Sequence, residues 1–277
     1  MPRIGILAIY VLSLSALGTL LWILGSIVAN GLPIVMKYGY QLFVNDIPPP
    51  IFFFGTPKVG IAPAIVGTLE MIFMALLISF PIGFLAGVLI AEFRRSKLSR
   101  IAEDVASLLV ELPTIAAGIA IYWLVVVPTK SFSALAGSMA LSVIMVPYIT
   151  IYTAEAYRKV PKEVKEGGLA LGIPYPKVLF KVLRGLIAPG VVTGTLIALA
   201  KAAGEAAPLL FTAGWSDKLE LDPLKPSASL SVLIYKFGFS SQELWLELSW
   251  AASFVLVFAI ILPLIIISKL VVRRHEF

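Results

Sequence analysis

Long uncharged apolar runs, separated by short polar stretches, dominate the chain. An α-helix needs about 20 apolar residues to cross the hydrocarbon core of a bilayer. The stretch between Arg3 and Lys37 carries no charge, and its apolar part from Ile4 to Ala29 predicts one crossing. Met71 to Ala91, framed by Glu70 and Glu92, predicts a second. Leu112 to Thr129 predicts a third that starts earlier, near Val105, and Ser131 to Ala154 predicts a fourth. Gly185 to Ala200 is short by itself, and the expectation is a helix that continues through Lys201 and Glu205 towards Phe211. Trp250 to Ser268 predicts a sixth, entered by Trp245 and Trp250 as interfacial aromatics. The predicted fold class is therefore an all-α integral membrane protein with six transmembrane helices.

Composition supports this reading and removes others. Hydrophobic residues make up 59% of the 277 and charged residues 14%, against about 25% charged in a soluble domain. Too little charge remains to coat a globule of this size. There is no cysteine, which excludes disulfides, thiolate metal sites and cysteine nucleophiles. The only histidine, His275, lies in the basic tail, so a histidine-based metal site or triad inside the protein is excluded. The net charge of +6 lacks the basic patch with interleaved aromatics that nucleic acid would need. It reads instead as topological charge. With the N-terminus inside, the inner segments hold 15 basic residues and the outer segments six, so the positive-inside bias places both termini in the cytoplasm. The first apolar run is longer than a signal-peptide core and no good A-x-A site follows it, so it reads as a retained span. The outer loops at 30–60 and 213–244 are rich in Pro and Gly, and Pro48-Pro49-Pro50 predicts extended chain. No repeat of 20–50 residues is visible.

Within the spans, Pro81 and Pro147 are expected to bend their helices. Gly83 with Gly87, and Gly190 with Gly194, form GxxxG pairs, which read as sites of close helix packing. Lys201 and Glu205 stand four residues apart, which puts them on one helix face about one turn apart. A charge at mid-span costs on the order of 3 kcal/mol on insertion scales, so that face should look into the bundle or a water-filled path. From physics alone the pair is either an ion pair joining helices or part of a pathway. The inner stretch from Glu155 to Arg184 is the other unusual feature, far longer than the inner loop near Arg94. Pro161, Gly172, Pro174 and Pro176 divide it into short amphipathic helices, and Gly172 is placed to make a C-terminal turn. No G-x-x-x-x-G-K-[ST] phosphate loop occurs, so any ATP used must be bound by another chain.

This stretch carries a resemblance. Glu166-Gly167-Gly168, then Gly172, then Val182 resembles the EAA loop of ABC importer permeases, with glycines in place of the two alanines and Arg184-Gly185 in place of Leu-Pro. It stands between the antepenultimate and penultimate predicted spans on the basic side. Glu155, Arg158-Lys159-Val160-Pro161 and Ala170-Leu171-Gly172 look like the same region of the PstA type of phosphate permease. Gly204-Glu205-Ala206-Ala207-Pro208-Leu209-Leu210-Phe211-Thr212-Ala213-Gly214 is similar to that type's G-E-[TA]-A-P-L-L-F-T-A-G motif, whereas the sister PstC type usually departs after Gly-Glu. Lys201 falls where these permeases commonly have arginine.

The resemblance implies a type I ABC importer with a MetI-like transmembrane domain. The first helix and outer loop would occupy residues 1–60, the permease core with its coupling loop near 155–184 would occupy 61–272, and a cytoplasmic tail 273–277. It implies a non-catalytic multi-pass subunit of the cytoplasmic membrane, translocating inorganic phosphate. The implied partners are membrane lipid, a second permease subunit (PstC-like), a cytoplasmic ABC ATPase dimer (PstB-like) that binds the ATP and Mg, and an extracytoplasmic phosphate-binding protein (PstS-like). No cofactor or metal is implied in this chain. Glu166, Gly167, Gly168 and Gly172 would dock on the ATPase, and Lys201 and Glu205 would line the substrate path. The alternatives are a permease for another oxyanion, such as molybdate or sulfate, and a transporter or channel that uses no ATPase.

Overall fold

The computed structural model describes residues 2–49 and 58–273, and among these the regular structure is helical throughout. The helices that matter here are α1 (Pro2–Tyr38), α2 (Ala62–Glu92), α3 (Lys97–Glu111), α4 (Thr114–Thr129), α5 (Ala134–Arg158), α6 (Lys162–Ala170), α7 (Arg184–Ala203), α8 (Ala207–Thr212), α9 (Leu230–Gly238) and α10 (Glu243–Val271). Five of them, α1, α2, α5, α7 and α10, are long and apolar enough to cross a membrane. The count reaches six when α3 and α4 are taken as one broken span.

The bundle is built around α5, which packs chiefly on α2 and α7. Glycine sets both contacts. A Cβ added at Gly83 would stand 2.8 Å from Cβ of Ile149, and one at Gly87 would stand 2.5 Å from Cβ of Thr153. On the other flank, a Cβ at Gly190 would stand 2.7 Å from that of Ala156, and one at Gly194 would stand 2.2 Å from that of Tyr152. The missing side chains let backbones approach, which gains dispersion contacts where lipid offers no hydrophobic drive. Both GxxxG pairs thus serve packing. The α2 and α5 helices run on through Pro81 and Pro147 without interruption.

Several boundaries differ from the sequence reading, each for a local reason. The third span does not begin near Val105 as one helix. Pro113 cannot continue α3, because its ring displaces the preceding helical turn, and α4 leaves at 106°. Glu70, expected at the edge of the second span, lies inside α2, with one carboxylate oxygen buried and unpartnered. The sixth span starts at Glu243 instead of Trp250. The outer segment 213–244 contains α9, capped by the Ser229 hydroxyl, which accepts from the Val232 N–H at 3.2 Å. Leu230, Leu233 and Phe237 of α9 are buried at a helical spacing that the surrounding Pro and Gly obscure. Ile47 N–H donates to the Asp217 carbonyl at 2.9 Å and the Trp245 indole donates to the Pro48 carbonyl at 3.2 Å, so the two outer segments are knitted together. Pro48 and Pro49 lie in a stretch without regular structure; Pro50 and His275 are outside the described residues.

The α1 helix is peripheral and its described apolar side chains are largely exposed. It is held at its outer end, where Gly31 meets the Trp250 carbonyl and Phe254, and where Lys37 and Tyr38 reach Glu247 at 2.8 Å. A Gly87→Leu substitution should lower stability in detergent by about 1–3 kcal/mol or more through overpacking, whereas Gly18→Leu, with nothing within 4 Å of its Cβ position, should leave it unchanged. Thermal unfolding followed by circular dichroism reads the difference; equal melting points would remove α2–α5 contact as the organising interface.

Candidate functional site

Two regions stand out, one within the bundle and one at the face that the charge bias assigns to the cytoplasm. Within the bundle, α7 stops at Ala203 and does not run on towards Phe211 as the sequence predicts. Pro208 is the cause. It has no N–H to give to the Gly204 carbonyl, and its ring would collide with that carbonyl in a continuing helix. The chain instead turns tightly, with Gly204 N–H donating to Lys201 O and Glu205 N–H donating to Ala202 O, both at 3.2 Å. The α8 helix then restarts with Pro208 in its first turn, where a missing N–H costs nothing.

Lys201 and Glu205 flank this break. Lys201 Nζ donates to Glu205 Oε1 at 2.7 Å, so the pair that the four-residue spacing predicts does form. The carboxylate is more enclosed than the ammonium, with side-chain exposures of 12% and 40%. The break itself is fixed from outside: Ser231 Oγ donates to the Glu205 carbonyl at 2.8 Å. Ser231 is in the first turn of α9, and the neighbouring Leu230 N–H donates to Thr68 Oγ1 of α2 at 2.9 Å. The α9 helix therefore joins α2 to the Lys201 break. Thr68, Ser229 and Ser231 were not singled out from sequence; the Ser227-Ala228-Ser229 triplet ahead of an apolar helical stretch was the available sign.

An ammonium has three N–H donors, and Glu205 takes one. Lys201 lines two hollows: a cleft of about 860 Å³ between α7 and α10, with Thr193, Ile261, Ser268 and Lys269 on its walls, and a small gap beside Leu112, Thr114 and Tyr148. The arrangement is a cation in a largely apolar bundle, held by a carboxylate and with donors left over. Such a group can bind and release an anion; it is not assembled to break a bond.

At the basic face, α6 and the chain that follows it form a packed unit. The α6 helix ends in a Schellman turn, with Ile173 N–H donating to Gly168 O at 3.3 Å and Gly172 N–H donating to Leu169 O at 2.9 Å. Gly172 has φ +75°, the left-handed conformation that favours glycine at this position. Gly168 lies under Val178 at 3.2 Å. Gly167 has open space around it and makes no close approach. A small apolar core of Val88, Tyr157, Val178, Leu183 and Ile187 unites the unit with the ends of α2, α5 and α7. Tyr157, fully enclosed, donates to the Leu179 carbonyl at 3.2 Å. Glu92, read from sequence only as the edge of a span, accepts from Lys165 and, at 2.7 Å, from the Tyr175 hydroxyl. Burial, then the hydrogen bond to Glu92, pushes the Tyr175 phenol up to about 12, so it remains a neutral donor at physiological pH. The opposite side of the unit faces out: Glu166 and Gly167 are exposed, as are Leu169 and, at 81%, Leu171. Of the four residues predicted here, Glu166 and Gly167 thus present a surface, while Gly168 and Gly172 shape it.

Comparison with known proteins agrees with this architecture. Residues 79–276 match the model of the binding-protein-dependent transport system inner membrane component family. The "Probable phosphate transport system permease protein PstA" of Methanocaldococcus jannaschii is 40% identical over 256 residues, covering 92% of this chain and 88% of that protein. The phosphate transport system permease protein PstA of Xylella fastidiosa is 36% identical over 239 residues, covering 86% and 80%. That of Yersinia pestis is 33% identical over 275 residues, covering 99% and 90%. Among solved structures, a chain of the methionine ABC transporter MetNI in inward-facing conformations superposes with a TM-score of 0.59 at 20% identity, covering 76% of this chain and 93% of that one, a likeness of fold. A membrane bundle with an extramembrane unit packed on three of its helices, matched by a family model over most of its length, leads to one conclusion: the chain belongs to the binding-protein-dependent transport system inner membrane component family.

Proposed function

We propose that this chain is a membrane permease subunit of an ATP-driven ABC importer and carries inorganic phosphate across the cytoplasmic membrane. The observation that carries the substrate assignment is the Lys201–Glu205 pair at the break of α7, where Lys201 lines two hollows. Phosphate is an anion with several acceptor oxygens, and a partly neutralised lysine attracts it without holding it irrevocably. Glu205 draws charge from Lys201 and keeps it oriented, so that binding stays weak enough for release. Lysine acts here as a point charge instead of the bidentate fork of an arginine. The relatives named as phosphate permeases support the same reading.

The drive comes from other chains. ATP and Mg are bound by a PstB-like ATPase dimer, phosphate is delivered by a PstS-like binding protein, and a PstC-like permease completes the path. The outward side of α6 is the dock for the ATPase. Glu166 offers it a carboxylate, Leu169 and Leu171 offer apolar surface, and Gly172 sets the angle at which α6 is presented.

Lys201→Ala should abolish phosphate uptake into vesicles holding the reconstituted complex, while the subunits still co-purify. Uptake at the wild-type rate would return the pair to a structural ion pair, and molybdate or sulfate uptake without phosphate uptake would replace the substrate. Glu166→Lys should weaken retention of the ATPase at least about tenfold, the equivalent of roughly 1.4 kcal/mol, in a pull-down on the tagged permease; unchanged retention would move the dock elsewhere.

A further inference from the structure

The basic face holds a second concave feature, at the start of α6. A cleft of about 620 Å³ opens between the α2–α3 connection, the end of α5 and the start of α6, and Arg94, Arg95, Arg158, Lys162 and Lys165 line it. The one carboxylate among its lining residues is Glu92, whose two oxygens are already taken by Lys165 and Tyr175. Arg158 reaches out to Glu103 on α3 at 2.9 Å. Arg94 gives its Nε–H to the Ala91 carbonyl at 3.3 Å. Arg95 and Lys162 are exposed and pair with no carboxylate among the described residues.

Positive charge on this face is expected from topology alone. Topology does not ask that the charges converge on a hollow, nor that they stand at helix starts. Lys162 opens α6 and Lys97 opens α3, where the helix dipole is already positive and a cation is disfavoured. Glu163 in the first turn of α6 offsets part of this potential, and the first turn of α3 carries no acid to cancel the rest. An anion from elsewhere would cancel it.

The neighbouring α3 indicates where such an anion comes from. It leaves α4 at 106°, and Leu98, Ile101, Val105 and Leu108 form an exposed apolar stripe along it, with Asp104 at its edge and Glu103 on another side. A helix of this pattern lies in the plane of the membrane interface, its apolar side against acyl chains. Its first residues border the cleft through Ser96. The cleft thus opens at the level of lipid headgroups, and clustered Lys and Arg between transmembrane helices on the cytoplasmic side suit headgroup phosphate.

We propose that this cleft is a binding site for a phosphate-type oxyanion, supplied by the headgroup of an anionic phospholipid of the inner leaflet, with Arg95 and Lys162 as its principal contacts. The planar fork of Arg95 takes two phosphate oxygens, and Lys162 adds a point charge. Occupied, the site ties the start of α6 to the bilayer, beside the surface proposed for the ATPase. The site does not depend on which substrate crosses the bundle.

The test uses the complex as purified, placed in nanodiscs of phosphatidylcholine alone, of phosphatidylcholine with phosphatidylglycerol, or of phosphatidylcholine with millimolar inorganic phosphate in the buffer. Thermal unfolding and native mass spectrometry of retained lipid are the readouts. The expected result is a higher melting point and retained phosphatidylglycerol for the wild type, with the shift reduced about twofold or more in Arg95→Gln/Lys162→Gln. Lys218→Gln on the outer segment should behave as wild type. Both cleft side chains are exposed, so each single variant should fold and show part of the loss. If inorganic phosphate gives the shift and the double variant loses it, the oxyanion site stands with free phosphate as its occupant. Equal shifts in wild type and double variant, in every lipid and buffer, would overturn the proposal.

Discussion

Close contact of backbone with backbone is the constraint on which this bundle depends. In lipid, helices gain nothing from hiding leucine from its like, so association must come from fit. Here α5 supplies the surface and its neighbours supply the gaps, at Gly83 and Gly87 on α2 and at Gly190 and Gly194 on α7. Because α2 and α7 are pressed on α5, the end of α7 and the break beyond it have a fixed position, and α9 can bridge that break to Thr68. The charged pair inside the bundle rests on a framework that is itself uncharged.

That framework also limits what Lys201 and Glu205 cost. A lone mid-span ammonium is penalised by a few kcal/mol. Three features reduce the penalty: the partner carboxylate at 2.7 Å, the end of helical structure two residues later, and hollows able to admit water. The break leaves backbone groups without helical partners, and the Ser231 hydroxyl takes up one of them. The polar chain from Thr68 through Ser231 to Glu205 is a local answer to the problem Pro208 creates.

Much of the architecture was readable from the chain. Apolar runs locate the spans, because burying a charge in lipid leaves a long uncharged gap in any sequence. The pairing of Lys201 with Glu205, the turn at Gly172 and the packing roles of the GxxxG pairs follow from spacing and stereochemistry that act over a few residues. What escaped depends on contacts between distant residues, or on the weight given to a proline. Hydropathy alone extended the third span across Pro113 and the fifth across Pro208, where the backbone cannot continue. The α9 helix was hidden because a window average over 213–244 is diluted by its Pro and Gly. Glu92 looked like a boundary, and only its distance from Lys165, 73 residues on, shows it to be a joint. The roles of the exposed residues of α6 were legible only through resemblance, since an outward side chain has no partner within its own chain.

The joint at Glu92 fixes how the α6 unit is mounted on the bundle. The α6 unit shares one small core with the ends of α2, α5 and α7, and the buried Glu92 clamps it to α2 through two donors. The unit is thus seated on the ends of three helices, and the far end of α7 carries Lys201. The basic face and the Lys201–Glu205 break are joined by one helix, α7, whose first turns share the core of the α6 unit.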